Sequence, residues 1–346
     1  MYLNNLEKVL EDEPKYRLKQ AKEAVFQRLV GDWSEATNLS APLREKLNRE
    51  CPLQIRGEII ESASNAETLK AIITLRDGLK IESVLMRHAD GRSTVCVSSQ
   101  VGCPLGCRFC ATGAMGFRRD LSAHEIVDQV LFFARILQKQ GEHVSVKAAV
   151  GGQKITNVVF MGMGEPFLNY DNVIAAIKIL NDKDGLNIGA RKISVSTSGI
   201  VEGIQKLAEE KFQVNLAISL HAPDDELRSR LMPINRKYPL KEVLRAVDEY
   251  IKKTSRQVMF EYILLKGIND SEEDARKLAR LMRKPLHFVN LIVYNPVDKK
   301  GMDPSSAGAV KKFRMVLEKA GVPVSERYRF GRDIKAACGQ LVPYFE

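Results

Sequence analysis

Nothing in this sequence approaches the roughly 20 consecutive apolar residues of a bilayer-spanning helix, so no membrane association is expected. The start, Met1-Tyr2-Leu3-Asn4-Asn5-Leu6-Glu7, has neither a basic leader nor an apolar core, and no secretory signal is expected there. An evenly spaced cysteine framework is also missing: of six cysteines, three are clustered and the others stand apart. That excludes a disulfide scaffold and points to reduced thiols in the cytoplasm. Acidic residues are in deficit, 43 Asp and Glu against 53 Lys and Arg, a net charge of +10. The imbalance is spread along the chain and favours a polyanionic partner, nucleic acid or an acidic surface. The bland alternative is a Lys excess that only aids solubility. There is no low-complexity tract and no repeat beyond an alternating strand–helix unit.

What is present centres on Cys96 to Arg119, which holds four of the six cysteines. Cys103, Cys107 and Cys110 form a C-x-x-x-C-x-x-C array on one short loop, so three thiolates can face one centre. A structural zinc site takes four ligands, and an electron-transfer four-iron cluster usually takes four cysteines. Neither Cys51 nor Cys338 has the local spacing to complete the set, and the loop contains no His. One iron of a cluster would then lack a protein ligand and could chelate the amino and carboxylate groups of a substrate and pass it an electron. In this the loop resembles the radical S-adenosylmethionine (SAM) superfamily. The competing reading is a zinc loop whose fourth ligand folds in from elsewhere.

With 346 residues, 45% of them hydrophobic, the chain can form one large domain and a small one. Residues 1 to about 50 read as helical, and the stretch from Tyr16 to Leu29 is basic and amphipathic, suited either to RNA or simply to a solvated helix face. Residues 54–97 change to period-two patterns, with a hairpin signal at Asp77-Gly78. An accessory domain over 1–93 is therefore expected, built of helices and a few antiparallel strands, with RNA contact as its role. From 94 to 346 short apolar runs alternate with amphipathic segments. Strands are expected at 94–98, 157–163, 192–197, 214–220, 257–264 and 287–293. Helices are expected at 122–139, 170–181, 200–210, 240–253, 271–283 and 307–320. Alternation of this kind calls for parallel strands with right-handed crossovers. Six units fall short of the eight that close a barrel, so the fold class is α/β, an open partial βα barrel with its ligand at the carboxyl ends of the strands. Residues 141–156 read as an inserted hairpin turning at Gly151-Gly152.

Polar residues gather where those strands end. Met161-Gly162-Met163-Gly164-Glu165-Pro166 offers two glycines that would let a ligand approach the backbone and, in Glu165, a carboxylate for an ammonium group. Ser196 ends the next strand, and Ser219-Leu220-His221 the one after, where hydroxyls and an imidazole can bond a ribose or a carboxylate. Asn295, beyond the last strand, can meet an adenine edge. Each alone is an ordinary polar rim; on one barrel they would line one opening. Cys96 and Cys338 are spare thiols, and a free cysteine is commonly just a core residue.

Assembled, these segments are similar to the RlmN/Cfr family, radical-SAM enzymes that methylate adenine carbon in RNA. The likeness rests on Cys96-Val-Ser-Ser-Gln-Val-Gly-Cys103, Met161-Gly-Met-Gly-Glu-Pro166, Ser219-Leu-His-Ala-Pro223, Leu231-Met-Pro-Ile-Asn235, Val289-Asn-Leu-Ile-Val-Tyr-Asn-Pro296 and Ala336-Ala-Cys-Gly-Gln-Leu341, in order along nearly the whole chain. It implies a [4Fe–4S] cluster on Cys103, Cys107 and Cys110. It implies two SAM molecules per turnover, held by Gly164, Glu165, Ser196, Ser219, Leu220, His221 and Asn295. It implies 23S rRNA and certain tRNAs as substrates, an electron donor such as flavodoxin, and a monomer in the cytoplasm. Pro166 resembles the RlmN branch and C2 methylation, the alternative being Cfr-like methylation at C8. The resemblance also implies that Cys338 carries the methyl group into a protein–RNA adduct and that Glu82 takes the C2 proton. Cys96 then attacks the Cys338 sulfur to release RNA, leaving a disulfide. Arg108, Arg118, Arg119, Arg228, Arg230 and Arg236 are expected to contact phosphates near the opening. A reading from a different class is a non-enzymatic RNA-binding protein whose cysteines hold zinc or a structural cluster.

Overall fold

A computed structural model describes residues 5–62, 67–143 (backbone only for 141–143), 154–297, 301–327, 331 and 333–342. Three helices come first, α1 (Leu6–Val9), α2 (Lys15–Phe26) and α3 (Ala41–Glu50). They close over Trp33, which is fully buried and donates its indole N–H to the Cys51 carbonyl at 2.7 Å. Cys51 is thereby a core residue of this helical cap, remote in role from the cysteine loop.

Strands β1 (Arg56–Glu61), β2 (Thr68–Thr74) and β3 (Lys80–Arg87) run antiparallel. The turn between the second and third uses the expected pair: Gly78 has φ +81°, and Asp77 accepts from the Leu79 amide at 3.2 Å. β3 then pairs antiparallel with β4 (Ser93–Cys96), so the accessory strands continue the main sheet instead of forming one of their own.

Past β4 come the small pair β5 (Gln100–Gly102) and β6 (Phe117–Asp120), with α4 (Ala111–Ala114) between them, and then α5 (Ala123–His143). The units that follow are β7 (Asn157–Phe160) and α6 (Tyr170–Asn181), β8 (Ile193–Thr197) and α7 (Val201–Glu209), and β9 (Asn215–Ser219) with α8 (Asp225–Leu231) and α9 (Leu240–Thr254). β10 (Val258–Leu264) and α10 (Glu272–Leu281), β11 (His287–Val293) and α11 (Ala307–Lys319), and finally β12 (Val324–Glu326) complete the order. One ten-stranded sheet results, β1-β2-β3-β4-β7-β8-β9-β10-β11-β12, parallel from β4 onward. The protein is an α/β partial barrel, and the parallel part has one strand more than expected.

That seventh strand, β12, contributes three residues to pairing with β11, too few for a period-two signal. α8 was also unanticipated; Asp224 caps it, accepting from the Leu227 amide at 2.9 Å. The hairpin expected at 141–156 does not begin where expected, since 141–143 are the last residues of α5; its turn at Gly151-Gly152 lies outside the described residues. No helix among the described residues is long and apolar enough to cross a membrane.

Candidate cluster and cofactor site

The cysteine loop is shaped by its flanks. Gly102 has φ +78°, and a Cβ there would lie 1.9 Å from the Gly116 carbonyl, which the Cys103 amide bonds at 2.9 Å. The loop is thereby drawn closed between β5 and β6. Cys103, Cys107 and Cys110 then line one cavity of about 160 Å³ at the carboxyl ends of the parallel strands. Burial pushes the Cys103 thiol up to about 12, and burial together with the two neighbouring thiols holds Cys107 well above its ordinary value. Three soft sulfur donors on one cavity wall fit a group that brings positive charge and accepts three sulfurs. Among the described residues no three Cys, His, Asp or Glu converge closely enough to enclose a single metal ion.

The strand ends supply the opposite wall. Glu165 is buried, and both its oxygens are occupied: one accepts from the Phe167 amide at 3.0 Å, the other from the Ser198 amide at 2.7 Å and hydroxyl at 2.8 Å. Burial nevertheless raises its pKa, so a cationic partner would meet a carboxylate already fixed in place. Ser196 and Ser219 face each other, Oγ to Oγ, at 3.4 Å and line the same cavity. His221, with φ +57°, accepts the Ile263 amide on Nδ1 at 3.1 Å, which leaves Nε2 as the N–H donor. Burial drops its pKa to about 3, so the ring is neutral at physiological pH.

Three expectations need correcting. The glycines of the 161–166 turn are small because of their own neighbours: a Cβ on Gly162 would meet the Val97 carbonyl at 2.7 Å, and one on Gly164 would meet Gln100 at 2.6 Å. They fit this turn against the cysteine segment, and ligand approach is a consequence. Leu220 has a fully buried side chain, and only its backbone is at hand, its amide bonding the Glu261 carbonyl at 3.0 Å. Arg119 and Arg228 are not free for phosphate. Arg119 grips Glu125 and Asp77 at 2.7–2.9 Å, and Arg228 is completely buried. Arg108, Arg118, Arg230 and Arg236 are exposed, as expected.

A second chamber of about 440 Å³ lies behind the first and shares with it a wall that includes Met161, Glu261, Arg327 and Cys338. Cys96 lines this chamber too, so the two spare thiols, 242 positions apart in sequence (338 − 96), meet one space. Cys96 is pushed up to about 12 by burial and by Cys338, against the pull of Arg327. Every described cysteine is a free thiol. Asn295 lines this second chamber, and its buried Oδ1 accepts from no donor among the described residues.

Glu82 stands on the same face of β3 as Val84, whose register partner is Cys96; a diagonal neighbour of that kind is about 7–8 Å away. Its carboxylate is buried, pairs with Lys70 at 3.0 Å and accepts the Val342 amide at 2.9 Å. Burial, opposed by Lys70, raises its pKa. The segment bearing Cys338 is stitched over the cavity in the same way: Gly339 accepts the Ala111 amide at 2.7 Å, and Leu341 accepts the Thr112 hydroxyl at 2.6 Å.

Sequence reasoning missed Arg327 and Glu261. The guanidinium of Arg327 lies 3.6 Å from Glu261 and donates to the Met161 sulfur at 3.1 Å. Arg327 follows a strand too short to notice. Glu261 left a signal, a lone acid inside the apolar run Val258–Leu264, which marks a barrel-interior position.

A family model described as the radical SAM superfamily matches residues 97–279. The chain is 44% identical over 342 residues to a probable dual-specificity RNA methyltransferase RlmN from Dictyoglomus turgidum, covering 98% of this chain and 94% of that one. It is 46% identical over 336 residues to the protein of the same name from Chloroflexus aurantiacus, covering 95% and 87%. A crystal structure of a radical SAM methyltransferase from Sphaerobacter thermophilus superposes with a TM-score of 0.91 at 43% identity, over 99% of this chain and 97% of that one.

Proposed function

Since the chain belongs to the RlmN family of the radical SAM superfamily, an enzyme family that methylates RNA with a [4Fe–4S] cluster and SAM, we propose that it methylates adenosine C2 in 23S rRNA and certain tRNAs, using Cys338 as methyl carrier. The observation that carries this reading is the position of Cys338 in the wall common to two chambers, one holding the cysteine triad and the other Cys96.

Cys103, Cys107 and Cys110 would hold the cluster; Gly164, Glu165, Ser196, Ser219, the Leu220 backbone, His221 and Asn295 would hold SAM. Bound there, the pair supplies one-electron cleavage of SAM and a carbon radical able to take hydrogen from a methyl group. The rest falls to side chains. Cys338 sulfur displaces a methyl from a first SAM, losing its proton as the new sulfur–carbon bond forms. Once that carbon is joined to adenine, Glu82 accepts the C2 proton; its raised pKa brings it nearer neutrality, where a general base works best. With the adduct's one unpaired electron returned to the redox pool that supplied it, Cys96 thiolate attacks Cys338 sulfur; the sulfur–carbon electron pair leaves with the methylene carbon, which takes a proton to become the methyl group, and a disulfide remains. Lys70, 3.0 Å from Glu82, holds the base in place until the proton arrives.

Residues 1–93 serve in this reading as the accessory, RNA-contacting domain and 94–346 as the catalytic one, in a cytoplasmic monomer fed by a flavodoxin-type donor. The test is anaerobic incubation with SAM, dithionite and an rRNA fragment or tRNA, followed by mass spectrometry of nucleosides and intact protein. 2-Methyladenosine and a methyl group on Cys338 are expected; 8-methyladenosine, or methylated RNA from Cys338→Ala, overturns the proposal.

A further inference from the structure

Arg228 has the chemistry of a surface phosphate contact and the location of a core residue. It lies on α8 between Leu227 and Leu231 and has no solvent exposure. All five of its N–H groups are directed at acceptors. Nε bonds the Leu220 carbonyl at 3.1 Å; Nη1 bonds Asn235 Oδ1 at 2.8 Å and the Tyr238 carbonyl at 3.4 Å; Nη2 bonds the Ser198 carbonyl at 2.6 Å and the Ser219 carbonyl at 3.1 Å. None of the five is a carboxylate; Asp225 acts on the guanidinium only from beyond Asn235, whose Nδ2 it accepts at 3.0 Å. A fully buried cation whose anion is not in direct contact costs several kcal/mol, and such a cost persists in a fold where further counter-charge arrives from elsewhere.

Two observations say from where. Three of the five acceptors, Ser198, Ser219 and Leu220, belong to the ends of β8 and β9, which bear the candidate SAM contacts. The cysteine loop touches the same helix, the Arg108 amide bonding the Leu231 carbonyl at 3.0 Å. Burial lowers the guanidinium pKa to about 10, so the cation survives at neutral pH, and the foremost opposing influence is Cys107.

We propose that Arg228 is the internal counter-cation of the iron–sulfur cluster and, through the same five bonds, the tie that holds two strand ends around SAM. The inference rests on the cluster reading above. Three thiolates on a four-iron core leave it net negative, and gaining one electron from an external reductant deepens that charge. A fixed buried cation favours the reduced form, and net charge and burial are among the determinants of cluster potential. Arg228 is a positioning residue: its hydrogen bonds go to Leu220, Asn235, Tyr238, Ser198 and Ser219.

The experiment titrates the anaerobically reconstituted full chain with dithionite, reads the reduced cluster by electron paramagnetic resonance, and measures SAM affinity. Arg228→Gln should lower the ratio of reduced to oxidised cluster at fixed potential about tenfold, which is about 59 mV for a one-electron couple. Arg228→Lys should hold that ratio within about twofold while still weakening SAM, because the charge stays and the planar fork is lost. Should Arg228→Gln fail to retain iron, Arg228→Met combined with Asn235→Leu removes the guanidinium together with its one side-chain acceptor and is read in the same way. An unmoved potential in the charge-free variants, or a Lys variant shifted as far as Gln, overturns the counter-cation. Unchanged SAM affinity in Arg228→Gln overturns the tie. Wild-type protein that takes up no iron overturns instead the cluster reading on which both stand.

Discussion

In the proposed reaction Cys96 is the residue whose environment most directly sets a rate. Its thiol, pushed up to about 12, is almost wholly protonated at neutral pH, so the thiolate fraction grows about tenfold with each pH unit up to that value. Release of RNA from Cys338 should therefore quicken with pH, and a gel-resolved protein–RNA adduct should persist longer at pH 7 than at pH 9. An adduct lifetime flat over that range would count against Cys96 thiolate as the resolving group. Cys96→Ala should leave the adduct standing at both pH values, with iron content unchanged. The triad was legible because cluster ligands depend on local spacing, which a sequence displays. The meeting of Cys96 with Cys338 was implied only by the resemblance, since physically it depends on β3–β4 pairing and on a C-terminal segment folding across the barrel. Arg228 was misassigned because the charged stretch Asp225–Leu231 reads as part of a loop near the opening; its address on the Leu227 and Leu231 face of a short helix becomes evident only with the packing.

At the scale of elements, the β5–β6 pair determines whether the cysteine loop exists. Two glycines separate strain from sterics. Gly106 has φ +63° with open space around its missing side chain, whereas Gly102 combines φ +78° with a backbone oxygen 1.9 Å from any Cβ. Gly106→Ala should cost about 1–2 kcal/mol of left-handed strain and still bind iron. Gly102→Ala adds a clash with backbone that cannot yield without breaking the Cys103–Gly116 bond, and should take up less than about a tenth of the wild-type iron, a loss of more than about 1.4 kcal/mol in binding. Equal iron content in the two variants would show that the loop closes without this contact. Most elements were readable from hydrophobic period: α6 and β11 fall on their expected residues, and other boundaries move by a few positions where caps and glycines intervene. β12, α8 and the β5–β6 pair escaped because three to seven residues carry too little periodicity to stand out.

For the molecule as a whole, charge and topology converge on one end of the barrel. The sheet runs unbroken from the accessory strands into the parallel core, so the N-terminal region is braced on the catalytic unit. Alternating apolar runs predicted the parallel part, but period-two patterns in β1–β3 are equally consistent with a separate small sheet, and only pairing with β4 decides the matter. The net charge of +10 acts through those arginines that reach solvent. Arg108 lies within the cysteine triad and Arg118 beyond it, and Arg230 and Arg236 lie on and beyond α8; none of the four forms an ion pair among the described residues. Arg119, held by Asp77 and Glu125, is a structural member of the same region. Each phosphate contact releases a condensed cation, so the logarithm of RNA affinity should fall linearly with that of salt, by about 0.7–0.9 per contact. Combining Arg118→Ala and Arg236→Ala should flatten that slope by about 1.4–1.8 and weaken tRNA binding more at low salt than at high. Arg119→Ala should leave the slope unchanged while lowering thermal stability. Filter binding between about 50 and 200 mM salt distinguishes the two cases, and an unaltered slope in the double variant would move the RNA-binding face away from the cysteine triad.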